Sequence, residues 1–115
     1  PNNSLIWSKG IDSPKGARAI PAETADTLNR MLQEAIKDGT GIAASLENRQ
    51  VAGKTGTSEG GRDLWFIGSI PELTTGIWFG HDNNEKTKSG SGNAAWAWKQ
   101  FIQKIDGDLQ ITNFH

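Results

Sequence analysis

The chain has 115 residues, about one domain or part of one, and its 12 Lys and Arg against 13 Asp and Glu give a net charge of −1. Neither sign is gathered in a block, so the basic stripe of a nucleic-acid-binding protein is absent. There is no cysteine, which excludes disulfides, thiolate zinc sites and cysteine nucleophiles. No apolar run reaches the roughly 18 residues of a membrane helix, and no signal-peptide pattern is present.

The beginning of the chain carries little pattern. It starts Pro1-Asn2-Asn3 without an initiator methionine, so we expect a piece of a longer protein. Residues 4–7 fit a short strand, and a turn-rich stretch follows over 8–16. We therefore treat 1–16 as a poorly defined lead-in.

The first strongly patterned segment predicts an amphipathic helix over 21–38, because its apolar residues recur three and four positions apart. These are Ala25, Leu28, Met31, Leu32, Ala35 and Ile36. Pro21 suits the first helical position, and Gly39 suits a left-handed C-terminal cap. Ile20 offers no capping oxygen, which forgoes about 1 kcal/mol.

Three strand-like runs follow, at 51–57, 64–69 and 74–80. The glycine-containing loop 58–62 joins the first two, and Pro71 marks a turn between the second and third. Short links between consecutive strands predict an antiparallel meander.

A polar loop then leads to a second predicted helix over 94–105, with Asn93 as N-cap and Gly107 after its end. Its apolar stripe comprises Ala94, Ala95, Trp98, Phe101, Ile102 and Ile105. The order of elements predicts an α+β fold in which helices flank an antiparallel sheet.

The most informative segment is 52–58, Ala-Gly-Lys-Thr-Gly-Thr-Ser. A lysine beside hydroxyl donors on one strand suits a carboxylate ligand, because charge-assisted hydrogen bonds are about twice as strong as neutral ones. Gly56 leaves room for close approach of a backbone or ligand. Side chains alternate along a strand, so Lys54 and Thr55 should point oppositely, and the site needs local twist or backbone groups.

Lys-Thr-Gly is also one of three motifs shared by penicillin-binding proteins and serine β-lactamases. Together, the runs 52–57, 63–68 (Asp-Leu-Trp-Phe-Ile-Gly) and 76–80 (Gly-Ile-Trp-Phe-Gly) closely resemble the C-terminal strands of class A (bifunctional) penicillin-binding proteins. The helix 21–38 with its following Gly-Thr-Gly, and the stretch 90–101, resemble flanking segments of the same family. The resemblance covers 17–105 and leaves 106–115 as a tail; it identifies the chain as a C-terminal fragment of the transpeptidase domain.

The resemblance implies a role for each motif residue. Lys54 would line the pocket as a cation that tunes proton transfer around the nucleophile. Thr55 and Thr57 would bind the carboxylate of a D-alanyl-D-alanine stem peptide or a β-lactam, beside the open edge at Gly56. The Thr57 backbone N–H would supply half of an oxyanion hole.

For the parent protein, the resemblance implies a serine acyltransferase that cross-links peptidoglycan without metal or cofactor. It also implies a glycosyltransferase domain in the same protein. It would work outside the cytoplasmic membrane, tethered by an N-terminal helix that this chain does not contain. The missing N-terminal part of the domain would be its packing partner.

The nucleophile motifs are missing from this chain. No serine has a lysine three positions on, and the only Ser-x-Asn string, 91–93, follows the Lys-Thr-Gly strand instead of preceding it. We interpret 91–93 as a glycine-rich turn with a helix cap. The fragment therefore lacks both the attacking hydroxyl and its base, and we expect it to be inactive alone. A non-catalytic module that binds wall peptide or glycan is the alternative.

Two nucleotide-binding patterns fail on context. Gly53-Lys54-Thr55 resembles the end of a phosphate-binding loop, but Asn48 stands where that motif needs glycine. Residues 90–95 match a dinucleotide pattern but follow a charged loop, with no βαβ unit around them.

We interpret the isolated aromatic and ionisable residues as parts of the core, turns or loops and not as functional residues. We expect Trp65, Trp78 and Trp98 in the core, which leaves Trp96 for any sugar stacking. His81-Asp82 is interpreted as a turn. Glu59, Arg62 and Asp63 are expected in a solvated loop beside the site.

Overall fold

The computed structural model describes residues 18–115, so the strand expected at 4–7 lies outside the described residues. In this part of the chain two α-helices flank three strands: α1 Ala22–Lys37, β1 Ala52–Thr57, β2 Leu64–Ile70, β3 Leu73–Phe79 and α2 Ser91–Ile105. Short 3-10 helices occupy Ile42–Ala44, Glu59–Gly61 and Asp106–Asp108. The α+β prediction is confirmed.

The sheet is an antiparallel meander in the order β1-β2-β3, as predicted. Thr57 pairs with Leu64 at one end of the β1-β2 hairpin. Ile70 pairs with Leu73, so Pro71 and Glu72 alone form the turn between β2 and β3. Proline supplies the fixed φ that such a turn uses. Because the turn has only two residues, the third strand begins at Leu73, one residue earlier than expected.

Strand alternation gives the sheet two different faces. Leu64, Phe66 and Ile70 are buried on the face that α2 covers, whereas Trp65 and Ile67 lie on the opposite face. Trp78 pairs with Trp65 across the strands, and each of these tryptophans is 44% exposed. The prediction that Trp65 and Trp78 are core residues is therefore wrong, because the alternation places Leu64 and Phe66 inside and Trp65, with its partner Trp78, on the outer face.

Helix α2 supplies the largest part of the core. Its buried residues are Ala94, Ala95, Trp98 and Ile102, and the Trp98 ring meets Phe66 edge-on at a centroid distance of 5.4 Å. Such an aromatic pair stabilises the fold by about 1 kcal/mol beyond the contribution of the apolar area that it buries. Trp98 is a core residue, as predicted, but Phe101 is 41% exposed and lies off the buried stripe.

The beginning of α2 differs from the prediction. The N-cap is Gly90, and Asn93 lies inside the first turn, where its N–H donates to the Gly90 carbonyl at 3.0 Å. The Asn93 amide instead contacts the Ser89 hydroxyl. Asn93 therefore stabilises the turn that enters the helix without capping it.

Helix α1 packs beside β1 and is only partly covered. Ile36 is its one buried residue, whereas Leu28 is 49% and Met31 65% exposed. The apolar stripe is where the sequence predicts it, but Leu28 and Met31 face solvent within residues 18–115, and Ala25, Leu32 and Ala35 are half-buried. Pro21 is the N-cap and not the first helical residue, and it makes no side-chain capping bond.

Gly39 is needed for a different reason than predicted. Among the described glycines, only Gly60 and Gly61 have positive φ, so Gly39 is not a left-handed cap. A Cβ on Gly39 would stand 2.7 Å from the carbonyl oxygen of Ala35. The chain leaves α1 too close to its last turn for any side chain at this position.

The C-terminal segment is fastened to the rest of the fold by Arg49, whose side chain is fully buried. Its guanidinium forms ion pairs with Asp106 and with Glu72, the latter at 3.0 Å. It also donates to the carbonyls of Leu109 and Gln110 at 2.8 and 2.7 Å. The expected tail is thus bonded to the loop that leads into β1.

Candidate functional site

The predicted site residues Lys54 and Thr55 meet at Thr40, in the loop after α1. The Lys54 ammonium donates to the Thr40 hydroxyl oxygen at 3.2 Å, and the Thr55 hydroxyl donates to the same oxygen at 2.6 Å. Lys54 also reaches the Thr55 carbonyl at 3.2 Å and the Thr55 hydroxyl at 3.5 Å. These contacts define a cluster, Thr40–Lys54–Thr55, at the side of β1.

The strand geometry explains how neighbouring residues share one cluster. Thr55 lies on the face of Phe66, its cross-strand partner, whereas Lys54 pairs with the outward Ile67. The two side chains therefore leave β1 on opposite faces, as expected. The four-carbon stem of Lys54 is long enough for its ammonium to reach around the strand edge. There it donates to the Thr55 carbonyl, which is a backbone group of the kind expected from the sequence.

The cluster lies on an open edge. Among residues 18–115, β1 pairs with β2 on one side and has no strand on its other side. Lys54 and Thr57 are exposed, and Gly56 is half-buried. A Cβ on Gly56 would have Trp65 as its nearest neighbour, at an ordinary 3.5 Å. Such an unpaired strand edge, with N–H and C=O groups facing outward, is a template for an extended peptide.

The hairpin loop beside the site is more ordered than predicted. Gly60 and Gly61 both adopt positive φ, which lets the loop close tightly. The Ser58 hydroxyl accepts the Asp63 N–H at 2.8 Å, and Asp63 accepts the Trp78 indole N–H at 3.0 Å. Asp63 is therefore a structural residue, whereas Glu59 and Arg62 are exposed as expected.

The remaining candidates lie apart from this cluster or have structural contacts. Residues 91–93 form the first turn of α2. His81 begins a turn in which its carbonyl accepts the Asn84 N–H at 2.9 Å, which confirms its interpretation. Trp96 is 57% exposed. Within the described range no cluster of three His, Cys, Asp or Glu is placed to hold a metal, and no helix is long and apolar enough to cross a membrane.

Lys54 does not line the main grooves on the described surface. One runs along the exposed residues of α1, another lies between the Pro71 turn and the C-terminal segment, and a third follows α2 beside Trp96. Lys54, which the resemblance places in a pocket, lies on an open strand edge within residues 18–115.

Comparisons with known proteins agree with this fold. The family described as the penicillin binding protein transpeptidase domain matches residues 8–103. Penicillin-binding protein 1B of Vibrio cholerae is 31% identical over 102 residues, which cover 85% of this chain and 13% of the relative. Penicillin-binding protein 1A/1B of Bacillus subtilis is 38% identical over 90 residues, which cover 66% of this chain and 10% of the relative.

A solved structure shares the fold. The D,D-transpeptidase domain of a peptidoglycan glycosyltransferase from Eggerthella lenta is 29% identical, with a TM-score of 0.56, over 75% of this chain and 21% of that chain. The chain therefore belongs to the penicillin-binding protein transpeptidase domain family, as its resemblance to class A members predicted. It spans about a tenth of the length of the curated relatives.

Thr40 was not assigned a role from the sequence, although it stands in the Gly39-Thr40-Gly41 stretch that carries part of the resemblance. No spacing rule connects it to Lys54, 14 positions away. Its place in the cluster depends on the loop after α1, which the Thr40 contacts hold against β1.

Proposed function

We propose that this chain is the C-terminal, substrate-binding part of a serine D,D-transpeptidase domain, with 106–115 as a tail that follows the family-like region. The parent protein would cross-link peptidoglycan stem peptides and bind penicillin. The observation that carries the proposal is the cluster of Lys54 with two hydroxyls at the free edge of β1. An ammonium group and an open peptide edge together suit a peptide that ends in a carboxylate.

Each motif residue has a different proposed role, set by its position on β1. Lys54 is the site's cation, which attracts the carboxylate and influences proton transfer at the nucleophile. Thr55 and Thr57 supply hydrogen bonds to that carboxylate. The Thr57 N–H supports the oxyanion that forms when the serine attacks, and Gly56 keeps the edge accessible between them.

The nucleophile is expected from polypeptide outside this chain. An acyl transfer needs a hydroxyl and a base in hydrogen-bonding reach of each other, and the printed sequence contains no Ser-x-x-Lys. Residues 91–93 open α2, which gives that Ser-x-Asn string a helical role. We therefore propose that the isolated chain is inactive and that its edge forms one wall of a pocket completed by the rest of the domain.

The uncovered apolar surfaces support this division. The outer face of the sheet presents Trp65, Ile67 and Trp78, and α1 presents Leu28 and Met31. Apolar patches of this kind mark contact surfaces. The remaining polypeptide of the domain is the partner that the proposal assigns to them.

The setting of the parent protein follows from the same proposal. Peptidoglycan cross-linking takes place outside the cytoplasmic membrane, so we place this chain on that side, in a protein anchored elsewhere along its sequence. Serine acyl transfer needs no metal or cofactor. The relative from Eggerthella lenta is named a peptidoglycan glycosyltransferase, and on that basis we propose a glycosyltransferase domain in the parent as well.

Labelling with fluorescent penicillin tests the proposal. We expect strong covalent label on the full-length product of the gene that encodes this chain, no label on residues 1–115 alone, and label weakened by at least about tenfold in full-length Lys54→Ala. The matched control is Lys104→Ala, an exposed lysine in the last turn of α2. Equal labelling of wild type and Lys54→Ala would remove Lys54 from the site.

A wall-binding module without catalysis is the second candidate. The exposed pair Trp65 and Trp78, with ring centroids 6.4 Å apart, is the observation that favours it, since exposed aromatic rings stack on sugars. Full-length protein that binds peptidoglycan but takes no penicillin label would support this alternative. Loss of binding in Trp78→Ala would then locate the surface.

A further inference from the structure

The Thr40–Lys54–Thr55 cluster raises the question of which proton it offers to a ligand. A lysine ammonium has three protons, and a threonine hydroxyl has one proton and two lone pairs. The ammonium of Lys54 has three acceptors nearby: the hydroxyl of Thr40 at 3.2 Å, the Thr55 carbonyl at 3.2 Å and the Thr55 hydroxyl at 3.5 Å. Each of its protons therefore has a place inside the cluster.

The hydroxyl protons can be counted in the same way. The Thr55 proton is used on Thr40 at 2.6 Å. The Thr40 oxygen accepts this bond and the one from Lys54, so both of its lone pairs are occupied. The proton of Thr40 is the one hydroxyl proton of the cluster without an internal acceptor, and it must point away from Lys54 and Thr55.

That proton is exposed and polarised. Thr40 is an exposed residue of the loop after α1, so a ligand at the edge of β1 can reach it. A hydroxyl that accepts a hydrogen bond from a cation becomes a better donor, because bonds in a chain polarise one another. Its best acceptor is an anionic oxygen, since charge-assisted bonds are the strong ones.

We propose that Thr40 is a ligand-contacting residue of this site, which donates its hydroxyl proton to the terminal carboxylate of the bound peptide or β-lactam. This inference rests on the proposed function. Thr55 reaches the same carboxylate only by turning its proton away from Thr40, whereas Thr40 can donate without breaking a hydrogen bond inside the cluster. The recognition of the carboxylate therefore extends from β1 to the loop that follows α1.

The test compares Thr40→Val with Thr40→Ser in the full-length gene product, using acylation rates measured by mass spectrometry. Valine keeps the shape and removes the hydroxyl, so we expect penicillin acylation to slow by about tenfold. Serine keeps the hydroxyl, and its rate should stay within about twofold of wild type. If Thr40→Val does not fold, Thr40→Ala carries the same comparison.

A penicillin methyl ester, which has no carboxylate charge, separates contact from indirect effects. We expect wild type and Thr40→Val to acylate with the ester at similar rates. An equal loss with acid and ester, or no loss with the acid, overturns the role of Thr40 while leaving the site in place. Unchanged labelling of Lys54→Ala contradicts the proposed function itself, so the two failures are distinguishable.

Discussion

The guanidinium of Arg49 donates from Nε to Oδ1 of Asp106, which lies 57 positions further along the chain. Through this bond the loop that enters β1 is tied to the helical turn that follows α2. Arg49 also pairs with Glu72 at the β2-β3 turn. One buried cation thus joins three segments at the end of the sheet where the Lys-Thr-Gly strand begins.

Removal of this cation should destabilise the chain. We expect Arg49→Met to lower the free energy of unfolding by about 3 kcal/mol, because it leaves the carboxylates and two carbonyls without their donor. Arg49→Lys keeps the charge but loses the planar guanidinium, so its free energy of unfolding should lie between those of wild type and Arg49→Met. Urea denaturation of the 115-residue chain measures both, and two variants as stable as wild type would contradict the joining role.

Acid should weaken the same connection. The hydrogen bond from Arg49, and then that from Asn48, lower the pKa of Asp106. The hydrogen bond from Thr112, assisted by the charge of Arg49, lowers the pKa of Glu72. Groups with a lowered pKa stabilise the fold fully above their ordinary pKa values of 3.8 and 4.5 and lose that effect as the pH falls through the folded values.

We therefore expect the melting temperature to fall as the pH drops below about 5. The fall should be shallower in Asp106→Asn, whose side chain does not titrate. Glu85→Gln, a change at an exposed carboxylate in the loop before α2, is the matched control and should follow wild type. The range from about pH 5 to about pH 3 covers the titration of these carboxylates. If the melting temperatures of Asp106→Asn and wild type fall in parallel over that range, this carboxylate is not responsible.

Two glycines of β1 should separate folding from ligand binding. A Cβ on Gly53 would stand 2.7 Å from the Phe66 ring and 2.9 Å from the Ile67 carbonyl, whereas one on Gly56 meets its nearest neighbour at 3.5 Å. Gly53→Ala should therefore lower the free energy of unfolding by about 2 kcal/mol. Gly56→Ala should change it by less than about 0.5 kcal/mol.

In the full-length protein, Gly56→Ala should nevertheless reduce penicillin labelling, because its methyl group enters the edge where the ligand approaches. Circular dichroism gives the folded fraction, and the label is compared at equal folded fraction. Full labelling of Gly56→Ala would mean that the ligand does not approach this part of β1.

The outer sheet face should drive self-association of the isolated chain. We expect wild type to form oligomers at high concentration and Trp65→Thr/Ile67→Thr to shift toward monomer, because threonine keeps the strand preference and removes apolar area. Trp96→Thr removes an exposed tryptophan from α2 and is the matched control. Sedimentation velocity distinguishes these cases, and a compact wild-type monomer at high concentration would be the contrary result.

The sequence predicted the three strands, their antiparallel order and both helices within a few residues, because periodicity and turn residues are local signals. It did not predict which way the tryptophans face. Residues 64–67, Leu-Trp-Phe-Ile, are apolar without alternation, so the run cannot reveal the phase of the strand. Pairing with β3 and packing under α2 decided it, and both are long-range.

The sequence carries no signal for two residues, Thr40 in the site and Arg49 in the anchor of the C-terminal segment, and the physical reason is the same for both. Thr40 and Arg49 act across 14 and 57 positions of sequence, and neither lies in a periodic segment. Lys54 and Thr55 were singled out because the motif places them together on β1. A residue that meets the motif from a loop has no such signal, and its role depends on how α1 ends at Gly39.

The anchored C-terminal segment also decides where a reporter can be attached. The Phe114 N–H donates to the Gln50 side chain at 2.8 Å, so Phe114 lies beside the residues that lead into β1. Thr57 is at the far end of that strand, about 17 Å from Ala52 at the usual rise per residue. A dye coupled at position 115 would lie near the strand's entry, and its emission could follow unfolding without obstructing the hairpin end.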